Sequence, residues 1–405
     1  MKKTIPIQKI LDNKASMRIQ VRFLWMVVLL FFWLFFWVPS GENAYAWTDH
    51  QTLTKTALSI VPEIVKSVVT FTTFDQFIQS LGYKSPEAFN QSIQIKKKYR
   101  FEAKMHEAPA ASLPLVQVIA TYSDEPDWGM DQELFDEAEY PELWRSEYAM
   151  MGGKKGTPSQ AFRHMYWSEW SYAHPLATFK LPLSHLFRPM GLAPERALVF
   201  VELSRKAALA GHPYWAARFL GNALHYLEDV AQPYHSSQTP TKAFVFRVLL
   251  DSEHRGPMKS FVQQMTQLMT YYHFAFEDYT ARLISDLHPE GKQWIQALTS
   301  TSSPPSSLEL MNPKDRVIRM SLEAVAEASK TGKFSLAFFP SPQVPFLELD
   351  AVKYMNAEWW EQVLKKGQST SQEKQEFFNL VERLYQKMGI QMREQVLSEW
   401  KQKNN

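Results

Sequence analysis

Apolar residues recur at helical spacing along most of this chain, in stretches separated by short loops. Leu53, Ala57 and Leu58 follow Asp49 at intervals of four and one, which predicts a capped helix over 49–61. Leu198, Val199, Val201, Leu203, Ala207 and Ala208 predict a second over 194–210, and the apolar-rich run from Ala216 to Val230 a third. The same period returns over 258–287 and 317–331, with polar-faced helices over 357–366 and 371–403. Only Val116–Thr121 and Phe244–Leu250 read as strands, the second also readable as a core helix. Gly-, Ser- or Pro-rich segments at 151–157, 300–307 and 339–345 predict loops. So little β-branched alternation predicts an all-α protein. Its main domain is expected over 47–340, with a C-terminal helical extension over 341–405.

The first 46 residues depart from this pattern. Lys2, Lys3, Lys9, Lys14, Arg18 and Arg22 precede an apolar run from Phe23 to Val38, which is short for a spanning helix. Ala44-Tyr45-Ala46 then forms an A-x-A site. The expectation is a signal peptide over 1–46, export to the periplasm or beyond, and a mature chain that begins at Trp47. Removing the six Lys/Arg and two Asp/Glu of that leader leaves 38 basic against 40 acidic residues. This near balance argues against a basic nucleic-acid-binding surface. The chain has no cysteine. Disulfides are therefore excluded, and a metal site has to come from His, Asp, Glu and backbone groups.

The candidate chemistry concentrates in Leu224-His225-Tyr226-Leu227-Glu228-Asp229-Val230-Ala231-Gln232-Pro233-Tyr234-His235. His225 and Asp229, four apart, share one helix face, and Pro233 ends the helix so that His235 can turn back toward the same point. Two imidazoles and a carboxylate at a helix end suit zinc. An exposed amino-terminal Trp47 would add an α-amino group, whose proton a metal can displace near neutrality, and a carbonyl, with His50 close behind. Two further segments carry ligand-type residues. Thr121-Tyr122-Ser123-Asp124-Glu125-Pro126-Asp127 places carboxylates directly after an apolar run, and Ala161-Phe162-Arg163-His164-Met165-Tyr166-Trp167 places a histidine among aromatics.

In this order, the amino-terminal Trp, the T-Y-x-D carboxylate, the F-x-H-x-Y histidine and the H-x-x-x-D-x-x-x-P-x-H segment resemble the zinc-dependent phospholipase C and S1/P1 nuclease superfamily. The resemblance covers about residues 47–287 and is most specific over 225–235. It implies an all-α fold with three zinc ions in a cleft. Asp124, His164, His225 and Asp229 would hold one. Trp47, His50 and Asp229 would hold a second, with Asp229 bridging. His235 and an H-x-x-x-E pair would hold the third. Of two places for that pair, His254 has Met258 where the glutamate belongs, whereas His273 and Glu277 lie at i, i+4 in a helical pattern. The expected set is therefore His235, His273 and Glu277, which makes 236–272 an insertion. The chain departs from the family at Glu228, where Gly is usual, in the closeness of His50 to Trp47, and at Ala161, where choline-specific enzymes carry an aromatic residue. The remaining histidines are read as structural.

The resemblance implies phosphodiester hydrolysis, with Asp124 as the general base. The favoured substrate is a phospholipid at a membrane interface, cleaved to diacylglycerol and a phosphorylated head group. The apolar segment 243–250 follows His235 closely and suits insertion into lipid, although burial against the core is the simpler reading. An S1/P1-type nuclease is the alternative, with Trp128, Tyr166, Trp167 and Trp170 as stacking residues. A zinc-stabilised exported protein without catalysis is a third reading. No obligate protein partner is implied.

Overall fold

A computed structural model of the chain describes residues 49–104, 110–131, 163–167, 191–237, 240–250, 258–285, 289–301, 311–344, 355–367 and 372–401. The leader, Trp47 and His254 lie outside these residues. The described part is predominantly helical. In chain order it comprises α1 (His50–Leu58), α2 (Pro62–Val65), β1 (Val68–Thr70), α3 (Phe74–Ser80), α4 (Pro86–Ser92), β2 (Ser112–Pro114) and α5 (Leu115–Ser123). A 3-10 turn over Glu125–Trp128 follows α5. Next come α6 (Ala193–Leu209), α7 (Pro213–Ala231), α8 (Pro233–Ser236), α9 (Lys242–Leu250), α10 (Met258–Ser285), α11 (Pro289–Leu298), α12 (Pro313–Phe338), α13 (Ala357–Gly367) and α14 (Gln372–Lys401). No helix among the described residues is long and apolar enough to cross a membrane.

Helix α7 is the axis of the fold. Every residue from Tyr214 to Ala231 is buried, which requires neighbours around its whole circumference. These are α5, α6, α12, α14 and α1. Helix α5 comes closest at Gly221, where a Cβ would stand 2.3 Å from the Ile119 carbonyl oxygen, so only glycine lets the two backbones meet there. Asp49 caps α1 as expected. It adopts a left-handed conformation (φ 78°), and its carboxylate accepts the Thr52 N–H at 3.1 Å.

Both strand expectations are corrected. Val116–Thr121 lies within α5 and Phe244–Leu250 within α9. Helix α5 is buried continuously from Val118 to Ser123, and a helix covered on most sides shows an unbroken apolar run rather than a stripe. In α9, Phe244 and Val248 point inward at i, i+4 while Phe246 and Leu250 face solvent, so apolar residues on both faces hide the helical period. The strands that do form, β1 and β2, pair antiparallel over only three residues each, too few for alternation to register in the sequence. The last helix, α14, packs on α1, α7, α11 and α12. It buries Val381, Leu384, Met388, Met392 and Val396, and Arg393 donates to the Ala57 carbonyl at 3.2 Å.

Candidate metal centre

The site is assembled on one end of α7. His225 and Asp229 project from its last two turns, and Gln232 and Pro233 turn the chain into α8, which delivers His235. Helix α1 brings His50, the 3-10 turn after α5 brings Asp127, the segment 163–167 brings His164, and α10 brings His273 and Glu277. All of these side chains are buried.

Three groups among the described residues could hold a metal ion: His50 with Asp127 and His225; His164 with His225 and Asp229; His235 with His273 and Glu277. Within each group, one donor atom per residue lies within 4.8 Å of the others. The first two groups interlock. His164 Nδ1 stands 2.8 Å from both His225 Nε2 and Asp229 Oδ2, and His225 Nε2 is 3.2 Å from that same oxygen. Asp127 Oδ1 lies 3.7 Å from His164 Nδ1 and 3.9 Å from His225 Nε2. A tetrahedral zinc with bonds near 2.0–2.1 Å separates its ligand atoms by about 3.3 Å, which these spacings straddle. The other oxygens of the same two carboxylates face His50: Asp229 Oδ1 is 3.5 Å and Asp127 Oδ2 3.9 Å from His50 Nε2. Both aspartates thus present one oxygen to each of two adjacent positions. In the third group, Glu277 Oε1 is 2.7 Å from His273 Nε2 and 3.4 Å from His235 Nε2.

Outer contacts decide which ring atoms are free. His225 Nδ1 is 2.8 Å from the Ser123 carbonyl and His235 Nδ1 is 2.7 Å from the His164 carbonyl. A carbonyl only accepts, so both Nδ1 atoms carry hydrogen and each Nε2 keeps a lone pair for the site. His50 Nδ1 donates to Glu228 Oε2 at 2.5 Å, with the same consequence. His164 is oriented from behind by Asp131, whose Oδ2 lies 3.8 Å from His164 Nε2. Arg163 and Arg196 anchor Asp131 at 3.1 Å each, and the Tyr226 hydroxyl also donates to it. Gln232 Nε2 donates to Glu277 Oε1 at 3.2 Å, and the Tyr234 ring stacks on His273.

The electrostatics match a site built for cations. Burial alone would raise the Asp229 pKa, yet His225 and His164 outweigh it and hold the carboxylate well below its usual range. Burial raises Asp127 despite the same histidines. Burial lifts Glu277 to about 7 and depresses His273 to about 3, leaving that imidazole neutral and ready to ligate. Burial opposes charge on His50, but Glu228, Asp229 and Asp127 raise it to about 10. The residues fit a metal on a further count. Buried Asp229 Oδ1 and Oδ2, His50 Nε2, His235 Nε2 and His273 Nε2 make no hydrogen bond of proper geometry although polar atoms crowd around them. Polar atoms stranded in this way carry a desolvation penalty that a shared cation removes.

Of the residues expected from sequence, His50, His164, His225, Asp229, His235, His273 and Glu277 come together here, and Trp47 lies outside the described residues. Asp124 is in none of the three groups. It ends α5 half-buried, and its Oδ1 accepts the Gln51 N–H at 3.2 Å, at the start of α1. The 3-10 turn then carries the chain on, and Asp127 takes the inward place. Glu125, within that turn, is clamped by Arg218, Asn222 and Tyr99, which fixes the turn against α7. Spacing could not choose among three carboxylates in four residues. Pro126, which starts a new turn just before Asp127, is the only local signal. Glu228 entered the sequence reading only as a departure from the family, because one residue along a helix turns it about 100° from the face that His225 and Asp229 share.

No protein-family model, curated protein or solved structure matches the chain.

Proposed function

We propose that the protein is an exported zinc-dependent phosphodiester hydrolase of the phospholipase C type, holding three zinc ions and acting on glycerophospholipids. The observation that carries this reading is the convergence of three buried His/Asp/Glu groups, two of them sharing Asp127 and Asp229. The order of the ligand residues along the chain, similar to that of the phospholipase C and S1/P1 superfamily, supports it. His164, His225, Asp127 and Asp229 would hold the first zinc; His50 with Asp127 and Asp229 the second, where the Trp47 amine would also fit; His235, His273 and Glu277 the third. When bound, zinc supplies Lewis acidity toward a phosphoryl oxygen and makes water nucleophilic near neutral pH. The chain's own part is to hold these donors rigid and dry, so that little reorganisation remains at the moment of reaction. Asp127, rather than Asp124, would stand between the first two positions, one oxygen toward each.

The lipid reading rests on α9. Its Phe244 packs on Tyr234 and Tyr272 beside the third group, while Phe246 and Leu250 remain 54% and 81% exposed, flanked by exposed Lys242 and Arg247. Apolar tips bordered by basic residues suit an anionic lipid surface. The test is incubation of zinc-loaded protein with vesicles of phosphatidylcholine mixed with anionic phosphatidylglycerol and, in parallel, with single-stranded nucleic acid. Diacylglycerol release without nucleotide release is expected, and the reverse would replace this reading with the nuclease one.

A further inference from the structure

We propose that Glu228 is a positioning residue that holds His50 as an Nε2 ligand of the second metal position, an inference that rests on the zinc reading of the site. Glu228 is fully buried on α7, and both of its oxygens are engaged by a single neighbouring helix. Oε2 accepts from His50 Nδ1 at 2.5 Å and Oε1 from the Thr54 hydroxyl at 2.5 Å. His50 and Thr54 are four residues apart on α1, so one face of that helix offers two donors one turn apart to one carboxylate. The imidazole is thereby set between consecutive acidic residues of α7, with Glu228 at Nδ1 and Asp229 3.5 Å from Nε2.

A buried carboxylate without a lysine or arginine partner among its bonds is costly to keep, and an apolar residue would pack there more cheaply. Its retention is explained if it orients a ligand. The bond to Nδ1 fixes the tautomer, aims the Nε2 lone pair at the gap between Asp127 and Asp229, and raises the basicity of the ring. Fixing is needed at this place. His50 is the first residue of its helix, directly after a left-handed cap residue, and the packing of its ring on His225, with centroids 4.1 Å apart, leaves its tautomer open. Asp131 does the corresponding work for His164 with two arginines behind it, whereas Glu228 relies on a hydroxyl.

The test uses the full chain, wild type, Glu228→Gln, Glu228→Ala and Thr54→Val, each loaded with zinc and titrated with a chelator, with the proton NMR spectrum recorded below the amide region. In wild type, three ions and a far-downfield His50 Nδ1 proton, absent from His50→Ala, are expected. Glu228→Gln should shift that proton upfield and weaken one ion by roughly 10–100-fold while leaving two unchanged. Thr54→Val should give the same change at smaller size, which keeps the test decisive if Glu228→Ala fails to fold. Three ions of wild-type affinity in Glu228→Gln and Thr54→Val, with only a lower melting temperature, would overturn the proposal and leave the zinc reading standing. A wild-type protein that binds no zinc would overturn both.

Discussion

The His225 imidazole donates to the Ser123 carbonyl at 2.8 Å, which joins the side of α7 that bears His225 and Asp229 to the last turn of α5. The carbonyl would otherwise be an orphan at a helix end, and the histidine would otherwise be free to turn. One bond settles both. It also sets Asp127, four residues beyond Ser123, opposite the same ring.

Asp127 and Asp124 should therefore behave differently on replacement. Asp127→Asn is expected to lose metal and hydrolytic activity together, because both of its oxygens face ligand positions. Asp124→Asn should leave the metal content unchanged and cost about 1 kcal/mol, the scale of the hydrogen bond it accepts from the Gln51 N–H. Zinc content by elemental analysis, beside a melting curve, separates the two.

Asp229→Asn should be more damaging than any single histidine replacement. Its oxygens address His50 on one side and His164 with His225 on the other, so two positions lose a charge at once. The expected readout is loss of two of three zinc ions; retention of all three would remove Asp229 from the bridging role.

Gly221→Ala tests the packing that positions the site. Its new methyl would meet the Ile119 backbone, which cannot swing aside as a side chain can. A loss of about 1–3 kcal/mol is expected by denaturant unfolding, with lowered zinc affinity because α5 and the turn bearing Asp127 must retreat.

In the metal-free protein, pH should act through His50. Its folded pKa, about 10, lies above the ordinary 6.5, so the folded state binds more protons than the unfolded one between these values. This stability is fully present below 6.5 and is lost as pH rises through 10, with a slope approaching roughly 1.4 kcal/mol per pH unit. Melting temperatures in chelator should fall from pH 7 to pH 9, while zinc-loaded protein, in which the metal occupies the place of the proton, should hold steady.

If α9 meets lipid, Phe246→Ser with Leu250→Ser should reduce hydrolysis of vesicles several-fold and leave a soluble short-chain phospholipid unaffected. Equal loss on both substrates would place α9 in the folding core instead.

The helices that carry the ligands were legible because their periodicity is long and their caps are local, as at Asp49 and Pro233. The i, i+4 pairs His225/Asp229 and His273/Glu277 were legible for the same reason, since helical geometry alone brings each pair together. What was hidden depends on contacts far along the chain. Buried α5 has no polar face to mark its period, and the choice of Asp127 over Asp124 follows from a 3-10 turn held by Arg218 on α7. Glu228 gains its meaning only when α1 arrives from 178 residues away.

That long reach has a consequence in a chain without cysteine. A metal shared by His50 and Asp229 would close a very long loop, and one shared by His235 and His273 a short one directly after it in the chain. Such ions would act as removable cross-links, stabilising the chain because they bind its folded form and not the unfolded one. Chelation would then resemble reduction: the folded form would lose its staples, and the supply of metal would set how long the protein keeps its fold.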